Sequence, residues 1–202
     1  MRRVMNAQCL AAGAALALAF QTNAARAQDG FGINRFEPAE RGSEWFTGDS
    51  LDFRGHLRPA AGLTLDWGHK PLVVEDQAGN ETALVENQLF AHLGGSLVLW
   101  ERLRLGATLP IALYQSGESA VMNGQTFTPP GEAAVGDLRL SADVRLLGAH
   151  RDVFSLAAGV RAWLPTGNRA QYTGDDAVRL GGHVRAAGEI SRFVYAARLG
   201  VV

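Results

Sequence analysis

The stretch Asp137-Leu138-Arg139-Leu140-Ser141-Ala142-Asp143-Val144-Arg145-Leu146-Leu147 alternates apolar and polar residues almost one for one. In an extended chain successive side chains point to opposite faces. Leu138, Leu140, Ala142, Val144 and Leu146 therefore share one face, and Arg139, Ser141, Asp143 and Arg145 share the other. A helix would scatter the same residues around its axis, so the period of two reads as a strand.

The same period extends to both sides of this run. Upstream, Leu103, Leu105, Ala107, Leu109, Ile111 and Leu113 are opposed by Arg104, Gly106 and Thr108. Downstream, Phe154, Leu156, Ala158, Val160, Ala162 and Leu164 are opposed by Ser155, Gly159 and Arg161. Val178, Leu180, Gly182, Val184, Ala186 and Ile190 are opposed by Arg179, His183, Arg185 and Glu189. Further strands are expected over 89–99 and 193–202, with a short pair at 51–57 and 63–67. Residues 29–36 supply a candidate first strand, followed by an outer loop at 37–48. No amphipathic helix is expected after residue 27, and the count comes to about eight or nine strands.

Connections sharpen this reading. Tight turns are expected at 58–61, 100–102, 148–152 and 191–192, and long polar loops at 70–83, 115–136 and 165–177. Short and long connections alternate. In an up-and-down sheet all short turns then lie at one end, as in outer-membrane barrels with short periplasmic turns and long outer loops. The apolar faces carry no charge, and the opposite faces carry Arg54, Arg104, Arg139, Asp143, Arg145, Arg161, Arg179, Arg185 and Glu189, the candidate lumen charges. Trp67, Trp100, Tyr114, Trp163 and Tyr195 stand near strand ends, where an amphipathic ring suits a membrane interface. A soluble sandwich or lipocalin-like barrel also alternates, with its apolar face inward. Alternation alone does not say which face is inside.

The N-terminus reads as an export signal. Arg2 and Arg3 precede a 12-residue apolar run at 9–20, and Ala25-Arg26-Ala27 offers a cleavage site before Gln28. Residues 1–27 are thus expected to be removed, leaving 28–202 as the barrel. Cys9 is the sole cysteine, so the remainder forms no disulfide. Removing Arg2, Arg3 and Arg26 from 19 basic residues leaves 16 against 20 acidic ones, a net charge of −4, which does not favour nucleic acid as a partner. The expected fold is an all-β, antiparallel up-and-down transmembrane β-barrel. It reads as incomplete, because the final strand ends at Val201-Val202 without a terminal aromatic residue.

Residues 31–74, including Arg35-Phe36-Glu37-Pro38 and Lys70-Pro71-Leu72-Val73-Val74, resemble the N-terminal barrel region of myxobacterial OmpA-family proteins. Leu109-Pro110-Ile111-Ala112-Leu113-Tyr114-Gln115 and Gly136-Asp137-Leu138-Arg139-Leu140 add to the resemblance. Leu164-Pro165-Thr166-Gly167 with Tyr172-Thr173-Gly174-Asp175 is also similar to the outer-membrane transporter family of phenol-degradation pathways. The first resemblance implies a structural or pore-forming protein in the cell outer membrane, in contact with its lipids and its assembly machinery. The second implies a transporter of small hydrophobic molecules. A peptidoglycan-binding domain follows the barrel in longer OmpA-family members, and nothing in this chain matches it.

Catalysis requires a nucleophile beside a base that an acid orients. His56, His69, His92, His150 and His183 have no serine at an evident partner position, so they read as lumen histidines and the chain as no enzyme, with a lipid-acting barrel enzyme or a soluble periplasmic binding barrel as remoter readings. No two histidines have i, i+2 spacing, and Asp175-Asp176 read as solvated loop acids, so no metal or other cofactor is expected. Strand-interior polar positions hold nine arginines against Asp52, Asp66, Asp143 and Glu189. Two readings stay open: an anion-preferring lumen for small solutes, or an ion-pair lattice that plugs and stiffens the barrel.

Overall fold

The computed structural model describes residues 31–75, 79–122, 125–131 and 133–202, and the expected signal segment 1–27 lies outside them. Among the described residues ten strands follow in chain order: β1 (Leu57–Glu75), β2 (Glu81–Leu99), β3 (Leu103–Ser116), β4 (Ala120–Met122), β5 (Gln125–Phe127), β6 (Ala134–Val135), β7 (Leu138–Leu147), β8 (Ser155–Leu164), β9 (Arg179–Ile190) and β10 (Phe193–Val201). The long strands pair in the order β1-β2-β3-β7-β8-β9-β10, each antiparallel to its neighbour, and the sheet curls into a half-barrel. β4 and β5 form a separate hairpin, and β6 continues the β7 position along β3. Pro110 of β3 has no N–H to give to the ladder. Beside it the partner strand breaks at Gly136, whose N–H reaches the Pro110 carbonyl at 2.8 Å. No α-helix occurs among the described residues, and no helix is long and apolar enough to cross a membrane.

Short turns at 100–102, 148–154 and 191–192 gather at one end of the sheet, and the connections at 76–80, 117–137 and 165–178 at the other. The expected turn at 58–61 is corrected: Pro59 lies inside β1, on an edge strand, where a missing N–H is tolerated. The loop expected at 70–83 shrinks to 76–80, because β1 runs on to Glu75 and β2 begins at Glu81.

The candidate strand at 29–36, of which 31–36 are described, and the one at 51–57 are also corrected. Residues 31–56 form no strand and line the concave side as a plug. Side chains there satisfy backbone N–H groups that a ladder would otherwise take. Asn34, Asp49 and Asp52 each accept from the N–H two residues on, at 2.9–3.0 Å. Leu51 and Gly55 adopt left-handed backbone conformations (φ 51° and 96°), which end any extension. The plug begins at the loop end, where the Ile33 N–H donates to the Tyr172 carbonyl. It finishes at the turn end, where Leu51 and Phe53 pack on Val98, Ala157 and Ala187.

The two faces of the sheet are inverted relative to a water-soluble barrel. The apolar set is exposed: Leu63 61%, Trp67 57%, Val160 61%, Leu199 81%. The polar set is buried, with Arg104 at 1% and Asp143 at 0%. The open question of which face is inside is thereby answered for this sheet, and the plug is what covers the polar side.

Candidate functional site

The concave face and the plug share one ion-pair network. Asp49 of the plug accepts from both terminal nitrogens of Arg104, at 3.1 and 2.5 Å, and from Arg185 at 2.7 Å. Asp143 of β7 takes the same two guanidinium groups at 3.2 and 3.1 Å. Glu40 lies 3.4–3.7 Å from Arg139, Arg161 and Arg185. Glu37 bridges Arg161, at 2.5 Å, and Arg198. Arg41 runs the other way, donating to Thr64 Oγ1 and to the His92 carbonyl, each at 2.7 Å. Arg104 also stacks over Phe53, 4.9 Å from the ring centre.

Strand register builds this network. Asp143, Gly159 and His183 stand side by side on β7, β8 and β9. His183 Nε2 meets Asp143 Oδ1 at 2.7 Å across the middle strand. A Cβ on Gly159 would lie 2.2 Å from that oxygen, so only glycine leaves the bridge room. Gly106 serves the plug likewise: a Cβ there would lie 2.5 Å from Glu40 Oε2.

Of the candidate lumen charges, Arg104, Arg139, Asp143, Arg161 and Arg185 are buried on the concave face. Arg145 is half-buried near the turn end. Glu189 is half-buried there too, 3.8 Å from Arg151. Arg179 sits at the loop end, over Trp163 and 3.1 Å from Asp175. Arg54 is corrected: it is exposed on the plug beside Asp52 and belongs to no strand.

Among the candidate interface aromatics, Trp67 and Tyr114 stack on the outer face with centroids 6.2 Å apart. A bulge between the Leu89 and Phe90 pairings turns Tyr114 outward beside Leu113. Trp100 is exposed in the β2–β3 turn. Tyr195 covers Gly188 and donates its hydroxyl to the Val153 carbonyl at 2.6 Å. Trp163 is corrected, since its side chain points into the concave interior with Arg161 and is 8% exposed. Asp175 is likewise more than a solvated acid: it accepts from the Gly32 N–H and pairs with Arg35 and Arg179.

Glu37, Glu40, Arg41 and Asp49 were not singled out in the sequence, because no periodicity marks them. The available signal was charge complementarity: the polar face held more arginines than acids, and the segment before it carried further acids. The histidines occupy three settings, with His150 beside Glu44 and Asp52. His92 and His183 pair with Asp66 and Asp143 inside the lumen. His56 and His69 are exposed, so the lumen reading is corrected for these two.

Glu44, Asp52 and His150 bring one ligand atom each within 4.8 Å of one another. Their carboxylates are already engaged: Asp52 by Arg54 and Arg58, Glu44 by Arg54 and Arg151. A cation would have to displace those guanidinium groups, so the trio reads as an ion-pair cluster. Burial raises the Asp52 carboxyl, but the hydrogen bonds from Arg54 and Arg58 outweigh it and hold the group well below the usual carboxylate range. A lowered folded-state pKa contributes stability that is complete above the unfolded value, roughly 4, and is lost as pH falls below it. Wild type should therefore lose stability to denaturant between about pH 4 and pH 2, and Asp52→Asn should lose less over the same window. Equal acid slopes for the two proteins would remove Asp52 from the acid response.

No family model, curated protein or solved structure matches this chain.

Proposed function

We propose that this chain forms the wall and inner plug of an outer-membrane β-barrel, with a structural, OmpA-like role and a lumen closed by ion pairs. The inverted faces carry the reading. In lipid an outward side chain must be uncharged, and a polar interior is tolerated. Leu57 to Trp67 on β1 covers eleven residues whose outward side chains are all apolar, and His69 is the first polar outward side chain beyond it. The ten steps from the first to the last extend about 33 Å at the usual strand rise. Tilted by about 40°, they span about 25 Å, the height of an outer-membrane apolar band. Trp67 and Tyr114 stand at its upper rim, Trp100 and Tyr195 at its lower.

The reading carries a requirement. β1 and β10 are the edges of the sheet, and lipid leaves no edge unpaired. With seven long strands in alternating directions the two edges run the same way, so antiparallel closure takes an odd number of further strands. The even total that results is the usual one for bacterial barrels.

Transport of small hydrophobic molecules is the second reading. A cavity of about 290 Å³ at the loop end, with Phe36, Phe90 and Trp163 in its lining, favours it. Arg35, Arg139 and Arg179 in the same lining favour it less.

The test is heat-modifiable gel mobility of the full-length protein recovered from outer membranes. A shift between unheated and boiled samples is expected. Recovery in the soluble periplasm without a shift would overturn the membrane reading.

A further inference from the structure

The wall alone is strongly unbalanced. Its central inward positions supply Arg104, Arg139, Arg161, Arg185 and Arg198 against Asp143. Most of the compensation comes from the plug, through Glu37, Glu40 and Asp49. Each of these carboxylates sits where a free anion would sit, held by two or three guanidinium groups. The arginines still have donors to spare: the Nε atoms of Arg104 and Arg161 and one terminal nitrogen of Arg185 are buried without a hydrogen-bond partner. A cavity of about 100 Å³ remains between plug and wall, lined in part by Glu37, Asp49, Arg161, Arg185 and Arg198.

We propose that the wall beneath the plug is a site for small anions bearing a carboxylate or phosphate group, whose place the plug carboxylates occupy, and that displacing the plug opens an anion-selective path. The guanidinium fork matches carboxylate and phosphate alike, and rings of positive charge favour anions in pores. The plug is attached in a way that permits release. Among the described residues its backbone bonds to the barrel backbone lie near its two ends, at Ile33–Tyr172 and His56–Trp100. Between them side chains hold it, and side-chain ion pairs yield to charge removal or to competing anions. The two readings of the charged lumen thus become two states of one device: a lattice with the plug in place, an anion path without it.

The inference rests on the membrane reading, and its test separates the two. Full-length protein is inserted into planar bilayers, with insertion scored by the mobility shift. Wild type should conduct little. Glu40→Gln/Asp49→Asn should raise conductance at least tenfold, with a reversal potential shifted towards chloride, and millimolar inorganic phosphate should reduce that current. A tether supplies the control. A Cβ at Gly48 lies 3.2 Å from that of Ala196, close to the roughly 3.5–4.5 Å usual across a disulfide. Gly48→Cys/Ala196→Cys added to the charge variant should silence the current when oxidised and restore it on reduction. If the charge variant fails the mobility shift, Glu37→Gln, at the more exposed rim of the network, carries the test with an expected rise of about threefold. Inserted variants whose conductance is unchanged, cation-selective or indifferent to the tether would overturn the anion path. Absence of insertion in wild type would overturn the membrane reading itself.

Discussion

Asp143→Ala is expected to destabilise the protein by about 3–5 kcal/mol, the usual cost of removing one partner from a buried charge cluster. Asp143 is fully buried and receives His183, Arg104 and Arg185 together. Its loss leaves two guanidinium groups with Asp49 and the more distant Glu40 as their remaining counter-charges. Lost solvation, more than lost attraction, makes the change costly, because the arginines stay buried while their partner goes. The measurement is denaturant unfolding of the protein refolded into detergent or vesicles. Asp176→Asn serves as a control: Asp176 is exposed and its left-handed backbone suits asparagine, so its change should stay within about 0.5 kcal/mol. A similarly small effect at Asp143 would mean that water fills the interior and screens the network.

Val160→Arg probes the opposite face. Val160 lies midway along β8 and is exposed, one residue from buried Arg161. Within a bilayer an outward arginine at mid-depth costs about 2–4 kcal/mol, falling to about 0–1 near the interface. Val178→Arg, beside the loop-end start of β9, is the matched interface variant. The expected result in phospholipid vesicles is a large loss for Val160→Arg and a small one for Val178→Arg. Two equally small losses would match an apolar face bathed in water, where open-surface substitutions cost little. The neighbouring Arg161 shows how far one residue of register decides: on the concave side its guanidinium meets Glu37 and Glu40.

The sequence by itself determined the long strands between Leu89 and Val201, because a period of two is a local property that no tertiary contact has to supply; the short β4, β5 and β6, inside the loop expected at 115–136, carry too few residues to show it. It also located the short turns at 100–102 and 191–192 and the long connections around 115–136 and 165–177. Leu51-Asp52-Phe53 shows the limit of that signal. The residues alternate, yet Asp49 and Asp52 bind their own backbone, and Phe53 packs on residues from three distant strands. Trp163 shows another limit: its chemistry suited an interface, but its place in the β8 alternation put it inside with Arg161. Which face of the sheet is covered was undecidable locally, since alternation is symmetric with respect to inside and outside. Only the tertiary structure broke that symmetry, by laying residues 31–56 along the polar face. The physical reason is charge: the acids of the plug and the arginines of the wall lie up to 161 positions apart in the chain, and neither set reads as a site until folding brings them within hydrogen-bond distance.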